Sequence, residues 1–357
     1  MLLQSFHEGV EHHAPIVPHG LDAEARAEQY PRPRHSALHA VEKPSELISV
    51  SPGLLVVEIG AGIFCSTSDN ALNTNRKFRL SRLSRETLLQ TFEENLRDFF
   101  ELLKLSCSMG LTVFRLGSSF VPFASHEKFD ASWLREVEGR LRAASREVAR
   151  YGVRITMHPG QYVVLNSPSA KVVDRSLREL EYHFRVLDAL GLPRESVVVV
   201  HLGGVYGDKR EALRRFERTV EENGWLARRL AIENDERYYT AAEVLEVGER
   251  LGLPVVFDYY HHKLNPSTFD MDRLADTWRG ATPEFHVSSP PSSPRRFGEH
   301  ADFVRLEDFL ELAGLWGGRG PLDVIVEAKK KEKAVAKLIK ELEPLGIELR
   351  KPPCYPG

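Results

Sequence analysis

Eight short runs of β-branched and aliphatic residues recur along the chain, and most are followed by a longer stretch with helical periodicity. The runs are LLVVEI (54–59), TVFRL (112–116), VRITMH (153–158), VVVVHL (197–202), RLAIEN (229–234), PVVFD (254–258), EFHVSS (284–289) and LDVIVE (322–327). Between them lie segments such as SRETLLQTFEENLRDFFELLKLS, with apolar residues at i, i+3, i+4 and i+7 and charges opposite. Near-continuous Val, Ile and Leu runs alternating with helices imply a parallel sheet covered on its faces. Eight such units predict a (β/α)8 TIM barrel, with a doubly wound sheet as the alternative. That alternative wants a nucleotide-binding glycine motif. IGAGIF (59–64) has only two of the three glycines and HLGGVYGDK (201–209) is no Walker motif, so nucleotide-cofactor chemistry has little support.

A chain of 357 residues, 42% hydrophobic and 28% charged, suits one large domain of the barrel class. Residues 1–50 read as a flexible extension, proline-spaced and without sustained period; 51–345 form the barrel, and 346–357 a tail. Six of the fourteen histidines (7, 12, 13, 19, 35 and 39) fall in the extension, where no scaffold would gather them into a site. Cys65, Cys107 and Cys354 are far apart and form no CxxC, so neither a disulfide framework nor a cysteine zinc site is expected, and a reducing cytoplasm is. No run of eighteen apolar residues and no signal-peptide start is present, so neither secretion nor membrane insertion is expected. The net charge of −3 argues weakly against a nucleic-acid partner, an argument that lapses where bound cations neutralise carboxylates.

In a barrel the site is built where the strands end. Those ends carry His158, His201, Glu233, Asp258, His286 and Glu327, a metal-type ligand from each of six consecutive strands. Gathered at one mouth, the carboxylates would repel one another unless cations sat among them. The loops add His261, three residues after Asp258, and the pair His300 and Asp302 in GEHADF. Glu284 lies two before His286, on the same inward face of its strand. His262 reads as a bystander, and His126 and His183 as ordinary loop and helix residues.

Imidazole and carboxylate without thiolate suit Mn2+, with Zn2+ as the alternative. Nine or ten such ligands suit a cluster of about three ions, with Glu233 and Glu327 as bridges, an arrangement fitted to phosphodiester hydrolysis.

The ordered motifs NRKFRL, HPGQYVVLNS, HLGGVYGDK, IENDER, FDYYHH, FHVSSP, HADF and VEAKKKEKA resemble the UV damage endonucleases, relatives of the endonuclease IV abasic-site nucleases. The resemblance runs from about residue 75 to 340. It implies a barrel with a divalent metal cluster, usually manganese, that nicks damaged double-stranded DNA immediately 5′ to UV photoproducts. By motif, His158 and His201 would hold one ion, Asp258 and His286 a second, and His261 and His300, with Asp302 beside it, a third. Glu233 and Glu327 would bridge.

The resemblance also assigns Gln161 and Tyr162 to a wedge that enters the duplex at the lesion, replacing stacking that a photodimer has already lost. Arg115, Ser118, Ser119, Lys209 and Lys329 would track phosphates, with Lys329 close enough to Glu327 to assist catalysis. The chain departs from the family at two places. Some members carry a carboxylated lysine where this chain has Glu284, and the family's L-G-Y tyrosine is set against Ala61.

The reading is therefore a monomeric, cytoplasmic DNA-repair endonuclease with three Mn2+. Its rivals are an abasic-site endonuclease of the same fold and a metal-dependent sugar isomerase barrel.

Overall fold

The computed structural model describes residues 58–356. The 1–50 extension and the first four residues of the 54–59 run lie outside them. Eight strands, β1 (Ile59–Phe64), β2 (Val113–Leu116), β3 (Arg154–Met157), β4 (Val198–His201), β5 (Leu230–Glu233), β6 (Val255–Asp258), β7 (Glu284–Val287) and β8 (Leu322–Val326), pair in sequence order. All pairs are parallel, and β1 closes on β8, so the sheet is a (β/α)8 barrel and not the doubly wound alternative.

Seven strands fall inside the expected runs; the first does not. β1 begins where LLVVEI ends and is built from IGAGIF, the segment weighed as a nucleotide motif. A β-carbon on Gly60 would lie 1.8 Å from Thr112 Oγ1, and one on Gly62 2.2 Å from the Val113 carbonyl oxygen. The glycines serve close approach between strands.

The outer layer follows from amphipathic segments with clear end signals. Helix α1 (Arg85–Met109) is capped by Ser84, whose hydroxyl accepts from the Thr87 N–H, and stops at Gly110 with φ 72°. It buries Leu88, Phe92, Phe99, Leu102 and Leu103 on one face. α2 (Ala131–Tyr151), α3 (Ala170–Ala189), α4 (Lys209–Glu222) and α5 (Ala241–Leu251) follow, the last opened by a full capping box of Thr240 and Glu243. The short α6 (Tyr259–Leu264) and α7 (Met271–Asp276) precede β7, and α8 (Leu306–Trp316) and α9 (Lys331–Leu342) flank β8.

Strand periodicity decides which side chains reach the barrel interior. Val198, Val200, Ile232, Val255 and Phe257 join the large core under the helices. Their neighbours Val199, Ala231 and Val256 form a separate small cluster with Val197 and Trp278. His201, Glu233 and Asp258 share the phase of that second set, so the strands aim them inward. Ala61 has the opposite phase, fully buried in the helix-facing core. Its side chain therefore does not face the barrel interior; the inward phase of β1 ends at Phe64, with Lys331 Nζ 5.3 Å from its ring centroid.

The C-terminal segment packs back on the barrel. The Arg350 N–H donates to the Ile59 carbonyl at 2.7 Å, and its guanidinium meets Asp323 at 2.5 Å. Cys354 is disulfide-bonded to Cys107 of α1, Cα to Cα 5.5 Å, across a sequence separation of 247. This corrects the expectation of unpaired cysteines. Local spacing is blind to a pair that only the closed barrel brings together. Cys65 is free. Among the described residues, no helix is long and apolar enough to cross a membrane.

Candidate metal centre

Adjacent strands deliver the ligands in register: His201 is paired with Glu233 across β4 and β5, and Asp258 with His286 across β6 and β7. Glu233 lies at the middle. Its Oε2 is 2.9 Å from His158 Nε2 and 3.7 Å from His201 Nε2. Its Oε1 is 2.7 Å from His286 Nδ1 and 3.8 Å from His261 Nδ1. Two metal-capable groups result, His158 with His201 and Glu233, and Glu233 with Asp258 and His286; in each, the ligand atoms lie within 4.8 Å of one another. Glu233 belongs to both, as a bridging carboxylate must.

Around this pair the remaining candidates divide. Glu284 is fully buried, and its Oε1 is 3.2 Å from His286 Nε2 and accepts from Thr156 Oγ1 at 3.3 Å. His300 Nδ1 approaches Glu327 Oε2 at 3.6 Å, and the His261 and His300 rings are 6.3 Å apart. Asp302 does not join them: its carboxylate is half exposed and faces Lys330 at 4.0 Å. Glu236, which the sequence reading passed over, has Oε2 4.0 Å from His261 Nε2. Its only sequence signal is its place in IENDER, three residues after Glu233.

Buried like charges are costly unless compensated. Burial alone would raise the Glu233 carboxyl, yet His286, His201 and His158 hold it well below the usual range. Glu327 is likewise depressed against its burial by Arg115, His286 and His300. Burial disfavours charge on His286 and His261 too. Glu233 nevertheless raises His286 to about 10, and Asp258 with Glu233 raises His261 to about 9. Burial lowers His201 to about 4 and raises Asp258. His286, His261 and one guanidinium are thus counter-charges that the protein itself places among these carboxylates.

That guanidinium is Arg115. Expected to track phosphate, it is instead buried inside the barrel, bonded to Glu327, packed against the His286 ring and 3.8 Å from Glu284. A β2 residue of inward phase points to the strand ends, not to the surface. The buried donors also leave capacity for cations: Asp258 Oδ2, Glu284 Oε2 and His201 Nδ1 have no hydrogen-bond partner among the described residues. Hard carboxylate oxygens beside imidazole nitrogens, some unshared, fit divalent ions.

The other expected contacts are distributed around the mouth. Gln161 is exposed, while Tyr162 is half-buried with its hydroxyl donated to Glu179 Oε1 at 3.0 Å. Ser118 Oγ donates to the His158 carbonyl at 2.9 Å and so helps set that ligand, and the Ser119 N–H donates to Asn75. Lys209 is paired with Glu243 at 2.5 Å, and Lys329 with Glu299 at 2.7 Å. His262 packs between Phe257 and Phe269, off the centre. His183 is held in α3 by the Glu179 carbonyl, and the ring of His126 accepts from the Lys128 N–H in its loop.

Fold and site together define a (β/α)8 barrel whose C-terminal mouth gathers a histidine–carboxylate centre suited to divalent cations. The UV-endonuclease UvdE family matches residues 59–351, and the chain belongs to that family. It is 33% identical over 277 residues to the UV DNA damage endonuclease of Bacillus pumilus (strain SAFR-032), covering 74% of this chain and 86% of that one. The crystal structure of SacUVDE superposes with a TM-score of 0.73 at 30% identity, over 81% of this chain and 100% of that one. A xylose isomerase domain containing protein from Salmonella typhimurium reaches a TM-score of 0.50 at 14% identity, over 82% and 100% of the two chains, and shares the fold alone.

Proposed function

We propose that this protein is a metal-dependent DNA-repair endonuclease that nicks the backbone immediately 5′ to UV photoproducts, cyclobutane dimers and 6-4 photoproducts among them. The observation that carries the proposal is Glu233 shared between two ligand groups at the barrel mouth, in a chain of the UV-endonuclease family. Hydrolysis adds water across the P–O3′ bond: the water oxygen joins phosphorus, the O3′ bond breaks, and a 3′-hydroxyl and a 5′-phosphate result.

Three divalent ions, Mn2+ with Zn2+ as the alternative, would be held by His158 and His201, by Asp258 and His286, and by His261 and His300, with Glu233 and Glu327 between them. Glu284 lies within reach of the second group. Bound there, such ions supply Lewis-acid stabilisation of the phosphate charge and of the leaving oxygen. The chain's own contribution is placement. Ser118 sets His158, Arg115 holds Glu327, and burial removes bulk water from Glu233 and Asp258, which strengthens every charge interaction at the mouth. Gln161 and Tyr162 stand on the loop just after the first histidine, where a wedge would meet the lesion.

The test is a gel assay on a 5′-labelled duplex bearing one thymine photodimer, beside undamaged and abasic duplexes, with Mn2+ and then with EDTA. The expected product ends just 5′ to the dimer and vanishes with EDTA and in the Glu233→Gln variant. Cutting of the abasic duplex alone would move the protein to the abasic-site class. Inertness toward all three would return it to the isomerase reading.

A further inference from the structure

The loop between β7 and α8 exposes an aromatic ring beside the metal centre. Phe297 is 52% exposed, unusual for so large an apolar side chain in this fold. The Arg237 guanidinium lies over it, 5.2 Å from the ring centroid. Arg295 and Arg296 are also exposed, and among the described residues neither guanidinium has an ion pair. In a chain whose net charge is −3, one arginine thus lies over the open ring and two more exposed ones stand one and two positions before it in sequence.

The ring is coupled to the centre by contact. Arg237 Nε is 3.4 Å from Glu236 Oε1, and Glu236 Oε2 is 4.0 Å from His261 Nε2. Gly298, at φ +73°, packs so closely on Glu236 that a β-carbon there would lie 3.1 Å from its side chain. The loop's far end is fixed as well: the Ala301 N–H donates to the Ser289 carbonyl at 2.8 Å. Phe297 is three residues from His300, so the chain places it within about 11 Å of that ligand. That reach is about three nucleotide steps along a strand.

We propose that Phe297, backed by Arg237, is a stacking platform for a nucleobase unstacked from the duplex within about three nucleotides of the scissile phosphate, with Arg295 and Arg296 meeting the flanking phosphates. The inference rests on the endonuclease reading and adds a base-binding surface on the opposite side of the chain order from Gln161 and Tyr162. An aromatic face accepts any base, and cations beside it suit the backbone that carries that base.

The experiment uses the full chain and photodimer duplexes carrying 2-aminopurine at successive positions around the nick site. Fluorescence and equilibrium binding are read in EDTA, and cutting in Mn2+. The wild type should quench the probe at one position. Phe297→Ala should lose that quenching, weaken binding of the photodimer duplex about tenfold or more, and leave the rate at saturating substrate within a few-fold. Phe297→Trp should restore both readouts, and Arg237→Ala should weaken binding by a smaller factor. Phe297 is exposed, so these variants fold. Wild-type quenching and affinity in Phe297→Ala would overturn the platform while leaving the endonuclease reading intact. Equal weakening on undamaged duplex with unchanged quenching would also overturn it. A wild type that cuts nothing would remove the underlying reading, and the platform with it.

Discussion

Tyr162 is tied back into the protein. Its hydroxyl is donated to Glu179, which also accepts from Ser125 Oγ and lies 3.8 Å from His183. Burial and then Glu179 push the phenol above its ordinary value, so it remains a donor across the working range. The ring is therefore aimed by α3, and Glu179 is its positioning residue. Replacing Glu179 with Ala should raise KM for the photodimer duplex roughly five- to tenfold with little change in kcat, and Gln, which keeps an acceptor oxygen, should restore it. An unchanged KM would detach Tyr162 from this anchor. At this scale the gathering of the candidate ligands was legible because a strand end is a place in the sequence as well as in space. Arg115 and Glu236 were not, since their roles come from partners up to 212 residues away. A basic residue near a site reads as a phosphate contact until burial shows which carboxylate it neutralises.

Among the elements, the β7–α8 loop depends on one side chain in the first turn of α8. Asp308, 2% exposed in its side chain, receives Arg305 at 2.8 Å, Lys263 at 3.0 Å and the Ser289 hydroxyl. Burial opposes its charge, yet these three donors hold its carboxyl below the ordinary value. A depressed folded-state value stabilises the fold above the unfolded carboxyl value of about 3.9 and is lost as pH falls through the lower folded one. Asp308→Asn should cost about 2–3 kcal/mol at pH 7, and urea titrations should show that gap closing below about pH 4. A gap that persisted in acid would mean that the loop is held by something other than charge. The strands themselves could be read from their apolar runs, and β1 could not. LLVVEI has the composition of a strand, whereas the barrel closes with IGAGIF because contact with Thr112 and Val113 leaves room only for glycine at two inward positions. Composition reports burial, and closure demands clearance.

The described residues together form a barrel whose C-terminal segment returns to the first strand, Arg350 bonding to β1 and Cys354 to α1. The disulfide restricts the unfolded chain over a very long loop, worth up to about 5 kcal/mol in a chain-entropy account. Reductant should lower the Tm of the wild type by several degrees. Cys354→Ser should start from the lower Tm and ignore reductant; equal Tm values throughout would show that the bridge adds nothing. Three scattered cysteines without a CxxC argued for free thiols, and that inference failed because it weighed spacing without the fold. The bridge also gives the backbone a different topology. From Cys107 to Cys354 the protein is a covalent ring, and every ligand of the candidate centre, from His158 to Glu327, is threaded on it. A backbone severed at any loop inside the ring therefore leaves one molecule with two new ends, its ligand-bearing strands still members of a single covalent body.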